Sequence, residues 1–186
     1  MDYIDIDTLE QGLKALNCLD TAMTSPEEDW LRCITCGEDE DMRWYMINNG
    51  GGDELMVLFS KIGILLKGFD HENDLNQFAA DEWDTEFFDK MFAGIPDDLL
   101  KLLTDDERDN TTFCMWYIYK TGKWYQNEYE GDDGGKEYLL GYIPDSVEKF
   151  IEWGTDYFEE NFNKDVMEKI FATGELSDED KEKLVV

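Results

Sequence analysis

The sequence predicts an α+β fold, a mostly antiparallel sheet of about five to six strands packed by an N-terminal helix and C-terminal helices. Three observations carry this. Short β-rich runs separated by glycine turns crowd residues 42–69 and 111–129. Leucines recur at helical spacing near the N-terminus. Aromatic and aliphatic residues recur at the same spacing over residues 147–171. With no internal repeat and no linker, the 186 residues are expected to form one domain, 1–186.

The elements follow in order. Leu9, Leu13 and Leu16 share a helical face over residues 8–17, with Asp7 as the expected cap. Ser25-Pro26-Glu27-Glu28 has the form of a helix start. The following WLRCITC (30–36) is rich in β-formers and stays open between helix and strand. MRWYMIN (42–48), ELMVLFS (54–60) and ILLKGF (64–69) read as strands. The turns between them are Asn49 to Asp53 and Lys61-Ile62-Gly63, with Gly63 fitting a left-handed position. The dense apolar content of the last two strands predicts central positions with both faces covered.

Residues 83–103 read as two helical pieces broken at Gly94-Ile95-Pro96. TTFCMWYIYK (111–120) and KWYQNEY (123–129) form the clearest hairpin, around Thr121-Gly122. An acidic glycine loop (130–136) leads to EYLLGYI (137–143), read as one more strand. Asp145 and Glu148 suggest a capping box for a helix carrying Val147, Phe150, Ile151, Gly154, Tyr157, Phe158 and Phe162. Val166, Met167, Ile170 and Phe171 mark another helix ended by Gly174, and Ser177 caps a short last one.

Charge is the strongest functional signal. There are 46 Asp+Glu against 16 Lys+Arg, a formal net charge of −30. Residues 1–93 carry 22 acids and 6 bases, residues 94–186 carry 24 and 10, so the excess is not a tail. Aromatics at 14% argue against a disordered acidic chain. Such a surface repels nucleic acid and anionic membranes and attracts basic proteins or cations. No apolar run approaches the roughly 18 residues of a membrane span. Met1-Asp2-Tyr3-Ile4-Asp5 lacks a basic region and an apolar run, so a cytoplasmic location without a signal peptide is expected. Cys18, Cys33, Cys36 and Cys114 are then expected as reduced thiols.

Few motifs carry chemistry. Cys33-Ile34-Thr35-Cys36 is a CxxC, but Glu38 to Asp41 follow it and would raise a thiol pKa. A zinc site needs four ligands and there is no second CxxC or HxxxH. Asp70-His71-Glu72 follows a buried strand and contains the one histidine. It reads either as a metal or acid–base cluster, or as a structural turn whose histidine bonds to backbone. Asp70, Glu72 and Asp74 are spaced like the start of a calcium loop, but Leu75 stands where that loop requires glycine. The glycines at 50–52 lack the lysine and helix of a phosphate cradle. There is no GxSxG, no SxxK and one histidine for any triad. An enzyme is not expected.

GDELMVLFSKIGILLKGFDHE (52–72), GIPDDLL (94–100) and TTFCMWYIY (111–119) resemble a bacterial family of uncharacterised function. That family shares a GDE…KGFDHE…TTFC pattern, here with Lys67, Gly68, Phe69, Asp70, His71 and Glu72. The Asp145–Phe158 segment fits it too. The resemblance implies a single domain and supplies no activity. The small acidic α+β layout is also loosely similar to immunity proteins of bacterial toxin systems, the SUKH group included. That likeness, with the charge, leads to the expectation of a non-enzymatic acidic inhibitor. It would neutralise a basic protein partner, a cationic nuclease-type toxin, by occupying its basic cleft. The expected partner-binding residues are Trp124, Tyr125, Glu128, Tyr129, Glu130, Asp132 and Asp133. One alternative is a metal-dependent enzyme or cation-binding protein built on Asp70, His71 and Glu72. Another is a phage-type inhibitor that mimics nucleic acid. No cofactor, direct nucleic-acid contact or membrane contact is expected.

Overall fold

The computed structural model describes residues 4–127 and 132–186. Helix α1 (Ile6–Met23) and a 3₁₀ segment (Pro26–Leu31) precede strands β1 (Ile34–Glu38), β2 (Met42–Asn48), β3 (Glu54–Ser60) and β4 (Gly63–Phe69). Helices α2 (Thr85–Phe92), α3 (Asp97–Leu100) and α4 (Asp105–Asp109) come next, then β5 (Phe113–Ile118) and β6 (Lys123–Gln126). Helices α5 (Lys136–Leu140), α6 (Val147–Phe158), α7 (Lys164–Thr173) and α8 (Asp178–Lys181) follow. The fold is α+β, with one six-stranded antiparallel sheet ordered β1 to β6, each strand beside its sequence neighbour. Among the described residues no helix is long and apolar enough to cross a membrane.

The chain forms two compact units. One comprises the residues up to Thr35 together with Gly141–Val186; the other is Cys36–Leu140. In the second unit β3 and β4 are the most buried strands, as their composition predicts. One sheet face presents Met56, Leu58, Leu65, Cys114 and Trp116, which pack with Met91, Ile95, Leu99 and Leu103 from the α2–α3 region. Burying each large apolar side chain contributes roughly 1.5–3 kcal/mol. Lys67 shares that face through its register with Met56 and Cys114. It is 1% exposed, and its Nζ donates to the Asn110 carbonyl, 2.6 Å away at the end of α4. Burial pushes its ammonium pKa down, against the opposing pull of Glu54.

Several local readings are corrected. Residues 137–143 are not a strand: 136–140 form α5. Asp133 accepts from the N–H groups of Gly135 and Glu137, satisfying donors that open the helix. Gly63 opens β4 without a left-handed φ; a Cβ there would strike the Tyr117 carbonyl on β5. Helix α4 has a complete capping box, Thr104 with Glu107, that the periodicity did not reveal. The WLRCITC segment divides, Trp30–Leu31 in the 3₁₀ segment and Ile34 onward in β1.

The first unit is helical. Leu9, Leu13, Leu16 and Leu19 are buried on α1, and α7 buries Val166, Met167, Ile170 and Phe171. Gly154 lets α6 approach Leu19 and Met167 so closely that a Cβ would crowd both. Phe150 lies 5.8 Å, centroid to centroid, from Phe171. The caps sit beside the expected ones. Asp5, not Asp7, accepts from Thr8 N–H at the start of α1. Ser146 caps α6, while Asp145 pairs with Lys149 at 2.7 Å. Asp20, fully buried near the end of α1, accepts from Arg32 Nε (3.2 Å) and from the N–H groups of Cys33 and Ile34.

Candidate functional site

Strand register builds the site. Glu54 pairs with Phe69, so the next residues outward, Asp53 and Asp70, meet at one end of the sheet. His71 follows and turns back onto Asp53. Asp53 Oδ1 lies 2.7 Å from His71 Nδ1 and accepts from the His71 backbone N–H at 3.0 Å. Asp53 Oδ2 accepts from Asn49 Nδ2 at 2.6 Å and from the Tyr138 hydroxyl of α5 at 3.0 Å. The carboxylate is 4% exposed and holds four hydrogen-bond contacts. Burial pushes its pKa up, but the bonds from His71, Tyr138 and Asn49 outweigh that and hold it below the ordinary value. The Asp53 bond in turn raises the His71 imidazole above its ordinary value, against its partial desolvation.

The turn is fixed from behind. Asp70 N–H donates to Thr112 Oγ1, and Thr112 Oγ1 donates to the Gly134 carbonyl. Gly135, at φ 78°, lies so close to Asp70 that a Cβ would strike its carboxylate. Asp132 accepts from Asn73 Nδ2 (2.9 Å) and Gly134 N–H (2.8 Å), which lowers its pKa, Asn73 most. An open recess of about 580 Å³ results, lined by Asn49, Asp53, Asp70, His71, Glu72, Asn73, Asp74, Asp132 and Tyr138. Five of these are carboxylates and two are amides, with one imidazole and one phenol beside them. Most of what the recess offers is carboxylate and amide oxygen, a surface for positive charge.

Of the expected cluster the structure joins Asp70 and His71, and it supplies Asp53 as the third member. One candidate ligand atom from each of Asp53, Asp70 and His71 lies within 4.8 Å of the others. Glu72 is exposed, 3.9 Å from His71 Nε2. A divalent ion on Asp53 and Nδ1 would have to displace the contact between them and compete with Asn49 and Tyr138. His71 bonds to a carboxylate side chain, not to backbone; its own carbonyl accepts from Asn76 Nδ2 at 2.7 Å. The Asp70–Asp74 segment is a series of tight turns, with Asn73 N–H on the Asp70 carbonyl and Asn76 N–H on the Asn73 carbonyl.

The hairpin surface expected to bind a partner is only partly exposed. Trp124 is 6% exposed and lies 5.4 Å from the Tyr117 ring, so it offers no exposed anchor. The alternation of β6 points Lys123 and Tyr125 outward and Trp124 inward. Tyr125 is 37% exposed and donates its hydroxyl to Thr121. Asp132 and Asp133 are engaged in the loop and helix-cap bonds described above. Glu128, Tyr129 and Glu130 lie outside the described residues.

No family model, no curated protein and no solved structure matches this chain. The CxxC is divided by burial. Cys36 is exposed, while burial, aided by Asp20, pushes the Cys33 thiol up to about 12. Burial therefore does what the sequence assigned to Glu38 to Asp41. Cys114 is buried too, and burial raises its thiol. Native protein at neutral pH should then show Cys36 as its fast-reacting thiol toward a thiol reagent, with Cys33 and Cys114 reacting only on unfolding. Mass mapping of the first adduct checks this; an adduct on Cys33 while the fold persists contradicts it.

Proposed function

We propose that this chain is an acidic binding protein that inhibits a basic partner protein by seating in its cationic cleft, as an immunity protein would toward a nuclease-type toxin. One observation carries the reading. Among the described residues only Asp20 and Asp53 are buried carboxylates, so nearly all of the acid excess faces solvent. Both units contribute: Cys36–Leu140 holds 25 acids and 9 bases, and the helical unit holds 21 and 7. Many of the bases are already engaged by the chain's own acids, as in Lys14–Glu10, Lys61–Asp41, Lys90–Glu86 and Lys149–Asp145. The remaining field steers cationic surfaces in and keeps polyanions away. The recess lined by Asp53, Asp70, Glu72, Asp74 and Asp132 concentrates it.

The test is capture from native lysate followed by kinetics on the captured protein. The partner should be basic, and its association rate should fall at least about tenfold between about 50 mM and about 500 mM NaCl. An acidic partner, or a rate flat across that range, rejects the reading.

A further inference from the structure

The segment between His71 and the end of α2 carries a feature that the acidic reading does not require. Rings form an unbroken chain from the sheet outward. Phe69 contacts Phe78 at 6.0 Å between centroids, Phe78 contacts Trp83 at 5.3 Å, and Trp83 stacks on Phe88 at 5.2 Å. The inner end is buried, but Phe78 is 62% exposed and Trp83 43%. Rings this exposed in an acidic surface lose hydrophobic stabilisation and need a reason.

They are held in place without one another's burial. The Asn76 amide donates to the His71 carbonyl, and its oxygen accepts from Phe78 N–H at 3.0 Å. Asp84 N–H donates to Gln77 Oε1 at 3.0 Å, and the Asp84 carboxylate caps α2. The loop therefore presents Phe78 and Trp83 in a preset arrangement, which lowers the entropy cost of binding.

Charge decides what can sit there. Residues 70–92 contain eight carboxylates, no arginine and one lysine. That lysine, Lys90, pairs with Glu86 at 3.0 Å. Asp81 and Glu82, two and one residues before Trp83, and Asp89, next to Phe88, are exposed. A second copy of the chain would bring the same eight carboxylates against these, and a nucleic acid would bring phosphates. Aromatic faces beside carboxylates instead suit a guanidinium, which stacks flat on a ring while its edge hydrogen-bonds an acid.

We propose that the Phe78–Trp83–Phe88 ledge, with its neighbouring Asp81, Glu82 and Asp89, docks an arginine-bearing segment of the basic partner. This rests on the acidic-binding reading and adds where and how the partner is gripped. Arginine is favoured over lysine because only its planar group meets ring and carboxylate together.

The test uses the full chain and two fluorescein-labelled probes, a glycine–arginine repeat peptide and its glycine–lysine counterpart, read by anisotropy at low salt. The arginine peptide should bind several-fold tighter than the lysine peptide. The Phe78→Ser/Trp83→Ser pair, which leaves net charge unchanged, should lose about tenfold in affinity for the arginine peptide and lose the preference. Phe78→Leu/Trp83→Leu keeps apolar area but no ring and should also lose the preference; it gives the same reading if the serine pair does not fold. Ring variants that bind and discriminate like the parent overturn the ledge while leaving the acidic reading intact. Binding of neither peptide to the parent chain overturns both. A dimer in sedimentation that the serine pair abolishes assigns the ledge to a second copy and overturns the arginine proposal.

Discussion

Asp53→Ala should lower the unfolding free energy by about 3–5 kcal/mol, seen as a large fall in the urea midpoint. The carboxylate is 4% exposed and ties the β2–β3 turn to the segment after β4 and to α5. Its loss removes an acceptor from the His71 N–H, the His71 ring, the Asn49 amide and the Tyr138 hydroxyl. The last two can rehydrate at the rim, which keeps the cost below the sum of four charged hydrogen bonds. Asp53→Asn should cost nearly as much, because its amide turns a donor toward donors. A midpoint within experimental error of the parent would contradict the account of the turn.

The same pair sets a pH signature. The folded His71 pKa is raised, so its contribution is fully present below the unfolded value of 6.5 and is lost as pH rises through the folded value. The folded Asp53 pKa is lowered, so its contribution is present above 3.8 and is lost as pH falls through the folded value. The pair stabilises most between these limits. Urea midpoints of the parent and of His71→Gln should therefore converge as pH rises above 6.5. A gap that stays constant to pH 9 or so would show that imidazole charge has no part in it.

Asp20→Ala is the second large effect, again about 3–5 kcal/mol. Asp20 and Arg32 form an ion pair whose acid is 1% exposed and whose base is 15% exposed. The same carboxylate receives the first N–H groups of the chain leaving the 3₁₀ segment, those of Cys33 and Ile34. Arg32 keeps Asn17 Oδ1 at 2.6 Å and Asp29 at 3.7 Å, so Asp20→Ala strands backbone donors more than it strands the guanidinium. Arg32→Ala leaves a buried carboxylate with two backbone partners and should cost less. If the two single variants were equal and additive in the double variant, Asp20 and Arg32 would not be acting together.

Strands β2 and β3 were legible to the residue, because their β-rich runs are closed by Asp41 and Asn48 in one case and by Glu54 and Ser60 in the other. Helix α5 was not. Tyr138, Leu139 and Leu140 satisfy strand and helix patterns alike, and the deciding cap, Asp133, is hidden in an acidic glycine loop. The α4 box was legible in Thr104 and Glu107 but lay between stronger signals. At the site, the sequence marked His71 as unusual and could not supply its partner. Asp53 lies 18 residues away and becomes a neighbour only through the hairpin register. Trp124 was misplaced because composition marks an aromatic hairpin without saying which ring faces in; the short alternation of β6 decides that. The exposed rings of Phe78 and Trp83 carried no sequence signal, since exposure is a property of the loop that presents them.

The division of the chain has a consequence for its synthesis. Residues 36–140 are contiguous, and four of the five strand pairings of the sheet lie within them between immediate neighbours in sequence. That unit can therefore close soon after its last residue leaves the ribosome. Helix α1 leaves the ribosome before that unit but belongs with α6 and α7, which leave after it. Its contacts with α6 and α7 cannot form until more than a hundred residues have passed. Helix α1 thus waits through the synthesis of the whole of that unit before it finds its place, and during that wait the newborn protein carries an amphipathic α1 that something else in the cell can touch.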